Sequence, residues 1–135
     1  MSLEIIRKAL EKRLATLTPV IAIAYENAAF TPSFGVPYLR VNLLPNTPDN
    51  SIMGQATYFE RGIFQVTACY PLNAGTANAG DKAQAIRNHF KRGVTMVESG
   101  VTVIVTNTPK VAPALIDGDR YSVPISIEYQ AQISV

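Results

Sequence analysis

Cysteine, histidine and tryptophan are nearly missing from this chain: one Cys, one His and no Trp in 135 residues. A lone thiol, Cys69, cannot form an internal disulfide, which excludes a disulfide-stapled scaffold and fits a reducing site of synthesis. A single histidine, His89, with no second His or Cys at ligand spacing, leaves no transition-metal site. Charge of one sign is also scarce. The formal net charge is +2, and no run of about five or six like charges occurs, so composition does not argue for nucleic acid or membrane. No apolar stretch approaches the roughly 20 residues that span a bilayer. The start, Met-Ser-Leu-Glu-Ile-Ile-Arg-Lys, lacks the basic segment and apolar run of a signal peptide. A soluble protein, cytoplasmic when made, is expected. The glycine-rich phosphate loop, G-x-S-x-G, H-E-x-x-H and C-x-x-C are all absent, which turns the reading away from catalysis.

What is present is a core and a strand-rich pattern. Apolar residues make up 47% of the chain, enough for one packed domain over residues 1–135. Leu3, Ile6, Leu10, Leu14 and Leu17 recur at helical spacing, with Arg7, Lys8, Glu11, Lys12 and Arg13 filling the other side. This predicts a helix over residues 3–17, capped by Ser2 and stopped by Thr18-Pro19. Residues 20–26 read as a strand, and residues 38–44 as a half-buried one with Leu39, Val41 and Leu43 on one face. Residues 56–70 form a long strand with Phe64, Val66, Ala68 and Tyr70 on one face; Gly62 is expected to mark a bulge or bend.

Residues 76–92 read as a helix with an Ala79, Ala83, Ile86, Phe90 stripe, and Gly93 as its cap. A strand follows at 101–106, then an irregular one at 109–115 interrupted by Pro113. Asp117-Gly118 signals a hairpin turn. Every second residue from Tyr121 to Val135 is apolar, and most of those between are polar, the clearest strand of all. Pro124 lacks a donor, so an edge or a bulge is expected there. The order α-β-β-β-α-β-β-β predicts an α+β fold: a mostly antiparallel or mixed sheet with both helices packed on it.

Each residue with chemistry has a plain structural alternative. Cys69 would need a neighbouring base to act as a nucleophile, and a buried inert thiol is the commoner case. Asp117 and Asp119 flank Gly118 but lack the further ligands of a calcium loop. Glu60 and Arg61 are neighbours on a strand and point to opposite faces. Arg87, Lys91 and Arg92, with Lys82 a turn earlier, make the second helix basic. That is a solvated face in the plain reading, and a phosphate contact in the functional one. No aromatics interleave with it, so sequence-specific nucleic-acid recognition is not expected. The connection over residues 45–55 is long for paired strands and is the candidate interaction loop, with Pro45, Asn46, Asp49, Asn50, Ile52 and Met53 as its contact residues.

Three stretches in order carry a resemblance: the first helix followed by Ile23-Ala-Tyr-Glu-Asn27, then Tyr38-Leu-Arg-Val-Asn-Leu-Leu-Pro45, then Arg61-Gly-Ile-Phe-Gln-Val-Thr-Ala-Cys-Tyr-Pro71. The last leads into an alanine-rich helix ending Ile86-Arg-Asn-His-Phe-Lys-Arg-Gly93. Over most of its length the chain resembles phage and prophage tail-terminator proteins of lambda-like siphophages. The resemblance implies a mixed α/β sheet flanked by helices and a ring of six subunits. That ring caps the tail tube, stops its polymerisation and presents a surface for head joining. It implies no catalysis, no cofactor and no metal. The implied partners are further copies of the chain, the tail tube protein and head–tail connector proteins, with assembly in the host cytoplasm and a final place in the virion tail. Alternatives from other classes are another head–tail connector part, a small ligand-binding or enzymatic α+β domain with Cys69, His89 and a carboxylate in one cleft, and a nonspecific DNA-binding module.

Overall fold

The computed structural model describes residues 2–17, 22–25, 37–47, 57–71, 77–117 and 120–134. In chain order the elements are α1 (Ser2–Ala15), β1 (Ala22–Ala24), β2 (Tyr38–Pro45), β3 (Thr57–Pro71) and α2 (Ala77–His89). They continue with β4 (Thr95–Glu98), β5 (Val101–Val105), β6 (Lys110–Val111), β7 (Leu115–Asp117) and β8 (Arg120–Ser134). The strands join one mixed sheet in the order β1-β2-β3-β8-β5-β4, with β6 and β7 also pairing β8. β1 runs parallel to β2, and the other pairs are antiparallel. The α+β class read from the sequence is the fold observed.

The spine is the β3–β8 pair, in register from Thr57 opposite Ser134 to Pro71 opposite Arg120. Both strands alternate, so one face buries Phe64, Val66 and Ala68 beside Val123, Ile125 and Ile127. Ile6, Leu10 and Leu14 of α1, with Ile86 and Phe90 at the end of α2, complete the core. Each such side chain contributes about 1.5–3 kcal/mol when fully buried. Phe90 meets Phe64 at 6.2 Å between ring centroids with the planes tilted by 50°, a favourable aromatic geometry.

Several local expectations change in detail. α1 ends at Ala15, and the next two amides bond three residues back, Thr16 N–H to Arg13 C=O and Leu17 N–H to Leu14 C=O. This tightened last turn serves carbonyls that the helix leaves free. Gly62 makes no bulge: it opposes Pro45 on one side and Tyr129 on the other in unbroken register. A Cβ there would lie 2.5 Å from the Leu44 carbonyl oxygen and 2.7 Å from Tyr129 Oη, so crowding explains the glycine.

Pro124 lies in the central strand, opposite Thr67. Its carbonyl accepts the Ala112 N–H at 2.9 Å, on the side where β6 has ended and β7 has not begun. The N and C=O of one strand residue point to the same side. The missing donor therefore faces that gap, and the central strand tolerates a proline.

β4 has no counterpart among the strands expected from the sequence. β4 and β5 form a tight hairpin through Ser99 (φ 51) and Gly100 (φ 79), the paired positive φ of a two-residue turn whose twist suits a hairpin.

Candidate functional site

Both helices pack on the face that carries Phe64 and Ile127. The other face of the sheet presents Arg40 and Asn42 from β2, Ile63, Gln65 and Thr67 from β3, and Glu128 and Gln130 from β8. Two hollows open on it. The lower one, about 390 Å³, is lined by Leu44, Pro45 and Asn46 together with Ile63 and Glu128. The upper one, about 350 Å³, lies between the β2–β3 surface at Arg40 and Gln65 and the β7 residues Leu115 and Ile116.

Of the expected contact residues of the interaction loop, Pro45 and Asn46 are described. Pro45 closes β2 opposite Gly62. The Asn46 N–H donates to the Arg61 carbonyl at 2.9 Å, and its Oδ1 accepts the Thr47 N–H at 2.8 Å. Arg61 Nε reaches the Thr47 carbonyl at 3.1 Å. The root of the loop is thus bonded to β3 at both the main-chain and the side-chain level. Asp49, Asn50, Ile52 and Met53 lie outside the described residues.

The basic residues of the second helix do not form one stripe. Arg87 donates from Nε to the Pro109 carbonyl at 3.0 Å and is partly buried, tying α2 to the segment before β6. Lys91 and Arg92 are exposed in the turn beyond the helix end at His89. Lys82 is buried, and desolvation lowers its pKa from the ordinary lysine value.

His89 and Cys69 stand on opposite faces of the sheet, so they form no catalytic pair. His89 Nε2 lies 2.7 Å from the Arg13 carbonyl, and Arg13 Nε donates to the His89 carbonyl at 2.9 Å. A carbonyl only accepts, so the histidine carries its proton on Nε2. This exchange latches the end of α1 to the end of α2. Cys69 is buried, 3.8 Å from the Thr67 carbonyl oxygen and from Ser122 Oγ. Asp117 opposes Arg120 across the β7–β8 pair, as the Asp-Gly turn signal predicts, while Asp119 lies outside the described residues. Among the described residues no group of three or more His, Cys, Asp or Glu is placed to hold a metal ion. No described helix is long and apolar enough to cross a membrane.

The features that sequence reasoning missed are apolar side chains left outside. Val97 is 68% exposed, Leu115 62% and Ile116 72%. Val97 sits on β4, which among the described residues is a sheet edge with an unpaired side, and Leu115 and Ile116 sit on β7, a second such edge. The signal in the sequence is the Ala-Leu-Ile run before Asp117-Gly118, whose exposure follows only from the fold.

A solved structure matches with a TM-score of 0.77 and 29% sequence identity, covering 97% of this chain and 96% of that one. A search of curated proteins returned no match. A family profile described as phage tail terminator protein matches residues 5–129. The match spans nearly the whole sheet and both helices, and the chain belongs to the phage tail terminator family.

Proposed function

We propose that this protein, a structural protein of phage tails, ends the tail: copies join in a ring of six that caps the tail tube, stops its polymerisation and offers a surface to head–tail connector proteins. Family membership supports the tail role. The observation that carries the assembly reading is the set of exposed aliphatic residues on strands at the sheet's edges among the described residues, Val97 on β4 with Leu115 and Ile116 on β7. Unpaired strand edges and exposed apolar groups are what a partner covers. A closed ring needs two different patches that meet across each joint, and β4 and β7 lie at different places on the sheet. The candidate loop at Pro45, Asn46, Asp49, Asn50, Ile52 and Met53 is the third contact element. Lys91 and Arg92 remain the exposed part of the basic region, for a nonspecific phosphate contact.

Light scattering across a concentration series, with and without tail tubes, tests the reading. Closed rings of six, in solution or on tubes, are the expected result. A strict monomer under all these conditions, with no effect on tube length, would remove it. Binding to connector proteins without binding to the tube would replace it with the connector alternative.

A further inference from the structure

The upper hollow has an unusual lining. One wall is Leu115, one of the most exposed aliphatic side chains among the described residues, with Ile116 next to it on β7 but turned to the other face by strand alternation. The other wall is Arg40, an exposed guanidinium on β2. The floor between them is polar, with Asn42, Gln65 and Thr67. Such a cleft fits a short extended segment that carries a carboxylate at one end and aliphatic side chains a few residues on. The chain contains one in its candidate loop: Asp49-Asn-Ser-Ile52-Met53. Asp49 is the only charged residue between Pro45 and Gln55, and Ile52 and Met53 are the only large aliphatic ones.

The register decides which copy supplies the segment. Leu115 stands opposite Ser122, which stands opposite Cys69. β3 runs from Cys69 down to Thr57, about 40 Å at roughly 3.3 Å per residue. Met53 is tethered to Thr57 by four residues, a reach of at most about 14 Å. Ile52 gains only one residue more. Even with side chains added, neither reaches Leu115 of its own chain.

We infer that the cleft between Arg40 and Leu115 receives the Asp49–Met53 segment of a neighbouring copy, with Asp49 against Arg40 and Ile52 against Leu115. The inference rests on the ring reading and names one of its joints. The two patches differ, as a head-to-tail contact requires.

Two experiments test it on the full chain. Ile52→Cys combined with Leu115→Cys is oxidised and run on a non-reducing gel; the expected result is a ladder of intermolecular species that neither single variant gives. In parallel, Arg40→Asp is expected to weaken self-association about five- to tenfold, and Asp49→Arg added to Arg40→Asp to restore it. All the substituted residues are exposed or in the loop, and circular dichroism checks that each variant folds. Wild-type rings without the ladder, and with Arg40→Asp assembling normally, would overturn the joint and leave the ring standing. An intramolecular cross-link would overturn the joint as well. A wild type that never assembles, alone or on tubes, would overturn both.

Discussion

Tyr129 and Gly62 show how closely single residues constrain this sheet. Tyr129 is fully buried, and its hydroxyl finds no hydrogen-bond partner among the described residues. Burial, with the nearby Glu60 carboxylate adding to it and Arg7 opposing, pushes the phenol pKa up to about 12. A raised pKa means that the folded state holds the proton after the unfolded chain has lost it. The contribution is fully present below about pH 10 and is lost as pH rises toward about 12, by roughly 1.4 kcal/mol per unit. Tyr129→Phe is therefore expected to leave stability at pH 7 unchanged or slightly raised, since no hydrogen bond is lost. It should also make the alkaline loss shallower by about one proton, as read from urea unfolding at a series of pH values. Tyr38 and Tyr70 are also raised by burial, so some alkaline slope should remain. Gly62→Ala is expected to cost more than about 2 kcal/mol. Adding Tyr129→Phe should not rescue it, because the Leu44 carbonyl oxygen, 2.5 Å from the new Cβ, is backbone and cannot turn away.

At the scale of elements, the β4–β5 hairpin is held by a turn and an ion pair. Ser99 takes a positive φ that a side chain disfavours. Ser99→Asn creates the Asn-Gly pair that such turns prefer, and a gain of about 0.5–1 kcal/mol is expected in thermal unfolding. Glu98, next to the turn, accepts from Lys12 Nζ at 2.9 Å and lies 3.6 Å from Lys8 Nζ. The Lys12 hydrogen bond, opposed by desolvation and supported by the two lysine charges, holds the carboxyl below the ordinary glutamate value of 4.5. A depressed pKa gives stability that is present above that value and lost as pH falls through the folded one. Glu98→Gln should therefore lower stability at pH 7, narrow the gap in acid, and make the unfolding midpoint less dependent on pH below about 4.5. High salt should reduce the same difference, because the lysines are exposed.

For the whole molecule, folding and assembly should separate. The described core is built from helices and strands. Replacing residues 49–54 by a short glycine–serine segment should change the unfolding midpoint little, since loop length enters stability only weakly. The same variant should fail to form rings or to cap tubes, as seen by light scattering and negative-stain imaging. A large loss of stability would show instead that the loop belongs to the core of its own chain.

Much of this architecture could be read from the order of residues alone. A 3.6-residue period along Ile6, Leu10 and Leu14 and a 2-residue period from Tyr121 onward specify which face is buried, because side-chain direction follows from backbone geometry. Both helices, the long strands and the α+β class follow from those periods. The Asp-Gly turn and the interruption at Pro113 follow from backbone chemistry that is likewise local. Other features needed the tertiary structure. A glycine at 62 reads as a bulge until the Tyr129 hydroxyl and the Leu44 carbonyl are seen on either side of it. Pro124 reads as an edge until the gap between β6 and β7 is seen facing it. Arg87 reads as a free charge until the Pro109 carbonyl is found within reach. The cleft at Arg40 and Leu115 joins residues 75 positions apart. Such contacts depend on strand order and register, and no period along the chain encodes which strand lies next to which.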